Sequence, residues 1–383
     1  MVGLFSIEVD EEIDAWSKIP IPLQCQFLKQ VDLEAEKCWE AFLRRNIMLE
    51  ELAKEIEFRG VPKYEGWDRL KVAFVGSSYS LYSSRELELD YGTYTAGYAV
   101  FLGANIIKES YYSGVLSKEQ TRELKKTQSI LELLCTNLER TVALYCLKKE
   151  KVDFMVINKG FYHFCPNVNT ILDERIETGK FENGRELVTD TVDKSVELLE
   201  SLKTCCIISN VRTSALDGWM IYRYGDDSRC VGLHDSSILA RLMPRNSWFA
   251  YRWIFGKPGL YTYLSGLRET YLGHNKRENF KEVLKLHKNK VNSKVKKLCN
   301  SVSLARKLSR YYLRNTMRYS PLCLEAHAEV EVAPLIAYLM RVEWKFGLPY
   351  PIEFIRRNVF LPSKFAAGFV GMIKERVLDR STH

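Results

Sequence analysis

Histidine is scarce in this chain: six in 383 residues. His163, His234, His274, His287 and His327 form no i, i+4 pair, which removes support for a helix-borne histidine metal site. The ten cysteines contain no C-x-x-C pair, so structural zinc has no ligand spacing to rest on. Neither a G-x-x-x-x-G-K-[ST] loop nor a G-x-G-x-x-G turn is present, which argues against intrinsic nucleotide hydrolysis and dinucleotide binding. No uninterrupted apolar run approaches the roughly 18 residues of a membrane helix. The first residues, MVGLFSIEVDEEIDAW, lack a basic segment before the apolar ones and turn acidic at once, unlike a secretory signal. Repeats and low-complexity tracts are missing too. These absences leave a globular protein expected in the cytoplasm, with no membrane partner.

What is present begins with charge. The net charge is +8, but it is concentrated between Lys276 and Arg318, where fourteen basic residues face two acidic ones. That segment carries +12, and the other 42 basic and 46 acidic residues sum to −4. Lysines and arginines so clustered displace counterions from a phosphate backbone and bind it without sequence choice. The candidates are Lys285, Lys288, Lys290, Lys294, Lys296, Lys297, Arg306, Lys307, Arg310, Arg314 and Arg318. Tyr311, Tyr312 and Tyr319 interleave with the arginines and would stack on unpaired bases. A solvated helix face with its tyrosines in the core is the structural alternative.

The apolar pattern supplies the fold. Val72–Val75 reads as a buried strand broken at Gly76-Ser77-Ser78, followed by strands over 94–102 and 104–112. Ser117, with Gln120 three residues on, predicts the start of a helix reaching about Lys149. A strand over 152–157, an irregular polar excursion over 161–190, a helix over 191–203 and a strand over 205–208 complete a β-β-β-α-β-α-β order. That order predicts an α/β, ribonuclease-H-like mixed sheet with flanking helices. An N-terminal helical arm (residues 1–64) precedes one domain over 65–383, with an elaborated C-terminal half that includes the basic segment 276–318. In that half the pattern predicts a strand over 219–224, a helix over 235–243 and an aromatic strand pair over 248–264. It also predicts a helix in the second half of the basic segment, an extended piece over 329–334 and a helix over 335–346.

Several stretches then resemble one family in order. AFVGSSYS (73–80) is similar to the Val-Asp-Gly-Ser motif that opens the core of the NurA nucleases, DNA-end-processing enzymes that partner the HerA helicase-translocase. GTYTAGYAVF (92–101) resembles their second strand, NLERTVALYCLKK (137–149) the helix with the catalytic glutamate, and DFMVINKGF (153–161) the second aspartate strand. HDSSILARLMPRNSW (234–248), AEVEVAP (328–334) and LPYPIEFIRR (348–357) resemble the C-terminal half. The resemblance spans roughly residues 65–360. It implies DNA as partner, a homodimer or a heterodimer with an active paralogue, a HerA-type hexameric ATPase, and Mn²⁺ or Mg²⁺ if the chain is active.

The departures fall on the chemistry. By this resemblance Gly76 and Asn158 stand where the two aspartates belong and Arg356, also a candidate phosphate contact, stands for the histidine; only Glu139 is retained. A divalent ion needs converging carboxylates, so the expectation is an inactive paralogue with no cofactor, serving as a DNA-binding or adaptor subunit. Glu86, Glu88, Asp90, Glu109, Asp153 and Asp235 are the candidates for a relocated metal site with Glu139, which would make the chain an active DNA nuclease. For Glu86, Glu88 and Asp90 the plain alternative is a solvated hairpin edge. A basic interaction protein without a DNA role is the third reading.

Overall fold

In the computed structural model the apolar run at residue 72 opens a strand, β2 (Lys71–Ser84), that continues unbroken through Gly76-Ser77-Ser78. The structure describes residues 19–119, 124–164, 171–208, 213–224, 232–273 and 307–381. β2 pairs antiparallel with β3 (Leu89–Leu102) along its whole length, and β3 with β4 (Asn105–Glu119). The serines that suggested a break are accommodated because neighbouring elements satisfy them. Ser77 Oγ donates to Glu139, Ser78 Oγ accepts from the Leu361 N–H, and Ser80 Oγ donates to the Ser363 carbonyl. A buried hydroxyl with a partner does not end a strand.

The chain divides into two compact units, Lys63–Ile207 with Glu325–His383 and Met1–Pro62 with Ile208–Leu324. In the first of these, β5 (Phe154–Ile157) lies parallel to β2, and β8 (Thr204–Ile208) lies parallel to β5. The resulting order, β8-β5-β2-β3-β4, is a mixed sheet of the ribonuclease-H type. Parallel neighbours need crossovers, and helices supply them. The crossover from the β2-β3-β4 meander to β5 contains α2, which runs Leu124–Glu150, with Lys148 and Lys149 favourably placed in its last turn. Ser117 does not cap it: Ser117 pairs with Tyr91 inside the hairpin, so the strand extends where a helix start was expected. The expected polar excursion contains a small hairpin, β6 (Arg175–Thr178) and β7 (Phe181–Asn183), then α3 (Gly184–Glu200). Asn183 caps α3 by accepting from the Glu186 N–H at 3.0 Å, which starts the helix seven residues before position 191. Leu131, Leu134, Phe164, Ile171, Phe181 and Leu187 fill the space between α2, α3 and this hairpin.

The C-terminal segment of the same unit carries α8 (Ala333–Arg341), α9 (Tyr350–Val359) and α10 (Phe365–Ser381). Of the piece over 329–334 expected to be extended, residues 329–332 lead into α8 through a turn and 333–334 open that helix, and α8 stops at Arg341 before position 346. α2 and α9 cover opposite faces of β2. Alternate strand residues point to opposite faces, and Ser77 meets Glu139 of α2 while the Cβ direction at Gly76 points at Ile355 and Val359 of α9.

In the other unit, α1 (Ile21–Ala53) precedes β1 (Arg59–Gly60), which pairs with β9 (Ser247–Ala250), and β9 pairs with β10 (Leu308–Arg314). Three expectations change here. Residues 219–224 belong to a helix, α4 (Ala215–Tyr224), because the Asp235 carboxylate accepts the N–H groups of Ala215 and Leu216 at its start. The aromatic stretch is one strand, β9, followed by α6 (Tyr251–Phe255) and α7 (Leu260–Gly273). The end of the basic segment, expected as helix, is the strand β10. The helix expected from residue 235 is present as α5 (Asp235–Leu242). Among the described residues no helix is long and apolar enough to cross a membrane.

Candidate functional site

Glu139 sits on α2 with its side chain fully buried under β2 and the end of β5. Its Oε2 accepts from Ser77 Oγ at 2.7 Å, and its Oε1 lies 3.3 Å from Nη1 of Arg140, which is equally buried. Arg140 is fixed from the far end, where Nη2 donates to the carbonyls of Lys159 and Gly160 at 3.2 and 2.8 Å. The Lys159 ammonium lies 3.8 Å from Cys135 Sγ. Burial works against its charge, but Cys135, Glu139 and Glu132 more than offset this and hold its pKa above the usual lysine value.

The cationic character registers on a third group. Burial, aided by Lys159 and Arg140, pushes His163 down to about 3, so it is a neutral ring. That ring is held between the Gly160 carbonyl at Nδ1 (2.9 Å) and the Thr136 hydroxyl at Nε2 (3.2 Å). Glu325, on β11 (Leu322–His327), is a further buried acid at the margin, accepting from the Phe161 N–H at 3.4 Å. Burial raises the Cys135 pKa against the pull of Lys159.

The four positions singled out in the sequence do not converge. β2 and β5 run parallel with Val75 opposite Ile157 as the last pair of the ladder, and Asn158 and Lys159 follow directly beyond β5. Ser77 and Lys159 face Glu139, whereas Asn158 Oδ1 accepts from Arg356 Nε of α9 at 2.8 Å. A Cβ at Gly76 would lie 3.3 Å from Val359 Cγ2 and 3.4 Å from Ile355 Cγ1, on that same α9 side. Gly76, Asn158 and Arg356 therefore belong to the opposite face, and Ser77 and Arg140 meet Glu139, whose charge also acts on Lys159. The only signal for them in the sequence was adjacency, one residue beyond each motif position. Arg356 is half-buried, its Nε donates to Asn158, and burial pulls its pKa down.

The other acidic candidates are held elsewhere. Asp90 is buried, accepting from Ser83 at 2.5 Å and Thr127 at 3.2 Å, so it is no part of a solvated edge. Glu86 pairs with Lys374, Glu109 accepts from the Tyr111 hydroxyl, Asp153 accepts the Lys71 N–H, and Asp235 belongs to the other unit. Among the described residues no three His, Cys, Asp or Glu side chains are grouped to hold a metal ion. The fit to a divalent cation thus fails on the donor set: one carboxylate, an ammonium, a guanidinium and a hydroxyl donor already turned to that carboxylate.

Of the basic segment, Lys285, Lys288, Lys290, Lys294, Lys296, Lys297 and Arg306 lie outside the described residues. Lys307 and Arg318 are exposed. Arg314 is not: it is buried, with Nη1 donating to the Ala240 and Met243 carbonyls at 2.5 and 2.8 Å, which closes the C-terminal end of α5. Arg310 lies 4.4 Å over the Tyr261 ring and donates to Thr213 Oγ1. Tyr311 and Tyr312 are fully buried in β10 and offer no ring to a base, and half-buried Tyr319 lies under the Arg318 guanidinium.

The sheet order, with one glutamate on the helix crossing it, defines the class as a ribonuclease-H-like α/β fold. The sequence matches no protein-family model and no curated protein. Among solved structures, the NurA nuclease from Sulfolobus solfataricus is similar over 93% of this chain and 98% of its own, with a TM-score of 0.58 at 10% identity. A structure of NurA bound to dAMP and manganese aligns over 90% of this chain and 94% of its own, with a TM-score of 0.47 at 9% identity. The chain has a NurA-like fold.

Proposed function

We propose that the protein is a NurA-like DNA-processing protein in which fixed internal charge has replaced metal chemistry, leaving a catalytically inactive DNA-binding or adaptor subunit. The observation that carries this reading is the setting of Glu139, sealed by Ser77, Arg140 and Lys159. A metal-dependent nuclease gathers carboxylates so that a divalent ion can activate water and neutralise the scissile phosphate. Here an ammonium and a guanidinium already outweigh the one carboxylate, and a cation brought beside them would be repelled. The likeness to NurA extends the proposal to its partners: a HerA-type hexameric ATPase, and a second subunit that is either another copy or an active paralogue. DNA would be held by the basic segment, in which Lys307 and Arg318 are exposed.

The test is degradation of single- and double-stranded DNA in Mn²⁺ or Mg²⁺ against the same protein in chelator. No metal-dependent product is expected. Cleavage that Glu139→Gln abolishes in a protein of unchanged circular dichroism would overturn the inactive reading in favour of a nuclease using Glu139. Retention of DNA should weaken with added salt and with neutralisation of several lysines and arginines between Lys285 and Arg318. Retention untouched by that change would point to an interaction protein whose basic segment serves another purpose.

A further inference from the structure

β9 and β10 lie antiparallel with Ser247 opposite Arg314, so the loop that enters β9 and the turn that leaves β10 emerge at the same end of the pair. Buried Arg314 pins both. It donates to the carbonyls of Ala240 and Met243 before β9, and to those of Thr316 and Met317, each at 3.1 Å, in the turn. Arg245 of the entering loop ties the two together, its Nε donating to the Asn315 carbonyl at 3.1 Å. The Arg318 N–H donates to Thr316 Oγ1 at 3.3 Å and steadies the turn from within. Loops fixed in this way present their side chains to a ligand at little ordering cost.

Those side chains carry positive charge with nothing local to balance it. Residues 236–259 and 307–324, which build this end and the strand pair behind it, hold eight lysines and arginines and no aspartate or glutamate. Arg245 and Arg318 are exposed, and among the described residues neither meets a carboxylate. With its Nε engaged, the Arg245 guanidinium keeps its two Nη groups for a phosphate, the planar fork that suits this anion. Arg318 is placed for a different contact. Its guanidinium lies 5.6 Å over the Tyr319 ring on one side, and as an exposed group it meets solvent on the other. A guanidinium plane backed by an aromatic ring is a platform for an unpaired base. Met317 beside it is 57% exposed and extends that platform with an apolar surface. Bases stacked inside a duplex present no face to such a platform, whereas every unpaired base does.

We propose that the loop before β9 and the turn after β10 form a contact for single-stranded DNA, with Arg245 on a phosphate and an unpaired base on the Arg318–Tyr319 stack. The proposal rests on the DNA-binding reading above and adds to it a place and a preferred strand state. It is tested on the full chain by fluorescence anisotropy with oligothymidylate and with a duplex of equal length. Arg318→Lys keeps the charge and loses the plane, so it should weaken oligothymidylate binding about tenfold and leave duplex binding nearly unchanged. Arg245→Gln should lower the slope of log affinity against log salt on oligothymidylate by about 0.7, the share of one phosphate. Both side chains are exposed, and an unchanged thermal melt shows that each variant is folded. Oligothymidylate binding untouched by Arg318→Lys, or duplex binding weakened as much, overturns the proposal and leaves DNA binding elsewhere on the basic segment standing. A native protein that holds neither DNA overturns the DNA-binding reading itself, and this contact with it.

Discussion

Glu139 and Asp235 are both fully buried carboxylates, one in each unit, and they are kept in opposite ways. Glu139 lies against Arg140 and close to Lys159, so its surroundings are cationic. Asp235 is held by hydrogen-bond donors without formal charge: the N–H groups of Ala215 and Leu216 at 2.9 and 3.0 Å, and the Tyr251 hydroxyl. Tyr251 is in turn 2.8 Å from the Tyr312 hydroxyl. Burial pushes Asp235 up to about 7, with Asp217 adding to the rise, and those donors only partly oppose it. Neutral donors satisfy lone pairs without replacing the lost hydration of a full charge. Beside Glu139 the charges of Arg140 and Lys159 stand in its place.

The comparison breaks most visibly at Glu139. Glu139→Leu leaves two internal cations without their counter-charge, and removing one partner of a buried pair costs about 3–5 kcal/mol. Urea unfolding midpoints should fall accordingly, and Mn²⁺ should not change the midpoint of the native protein. In a centre of converging carboxylates the same substitution relieves like-charge repulsion. A variant as stable as the native protein would therefore show that the charge balance around Glu139 is misread. The next effect is at Gly76. An aspartate there meets Ile355 and Val359 and projects toward α9. Overpacking of this kind costs about 1–3 kcal/mol. Gly76→Asp should lower the melting temperature and gain no Mn²⁺ binding by titration calorimetry. Tight Mn²⁺ binding by that variant would return position 76 to the Glu139 face.

That one-residue displacement also shows how far the sequence could be read. The apolar runs at 72–75, 152–157 and 205–208 and the long helix between them sufficed for the ribonuclease-H order, because burial on both faces leaves largely apolar runs. Motif matching put Gly76 and Asn158 at the centre, but a strand has period two, and a slip of one residue exchanges its faces. Only the packing of α2 and α9 on opposite sides distinguishes Ser77 from Gly76. Elsewhere remote partners overrode local preference. The Trp-Met-Ile-Tyr stretch at 219–222 has the composition of a strand, yet its helix is started by a carboxylate from position 235. Tyr311 and Tyr312 look like base-stacking residues on a basic helix, and the strand β10 buries both. Nothing local to Lys159 shows that its charge is set against Glu139.

The smallest effect sharpens the Asp235 half of the comparison. In the unfolded chain an aspartate ionises near 3.9, and in the fold Asp235 does so at about 7. The folded state therefore holds the proton more tightly than the unfolded state. The stabilisation this provides is complete below about pH 4 and is lost as pH rises toward 7. One proton sets the limit on the slope, about 1.4 kcal/mol per pH unit. The groups around the carboxyl are Tyr251, Tyr312 and Asp217, with Arg310 acting on the two tyrosines. All of them are present in both the native protein and Asp235→Asn, so the difference between the two unfolding curves isolates this one titration. Between pH 4 and 7 the native protein should lose stability relative to Asp235→Asn. A difference that does not change with pH would mean that the hydroxyl and two N–H groups suffice to hold Asp235 as an ordinary carboxylate, and that cations around Glu139 are no electrostatic necessity.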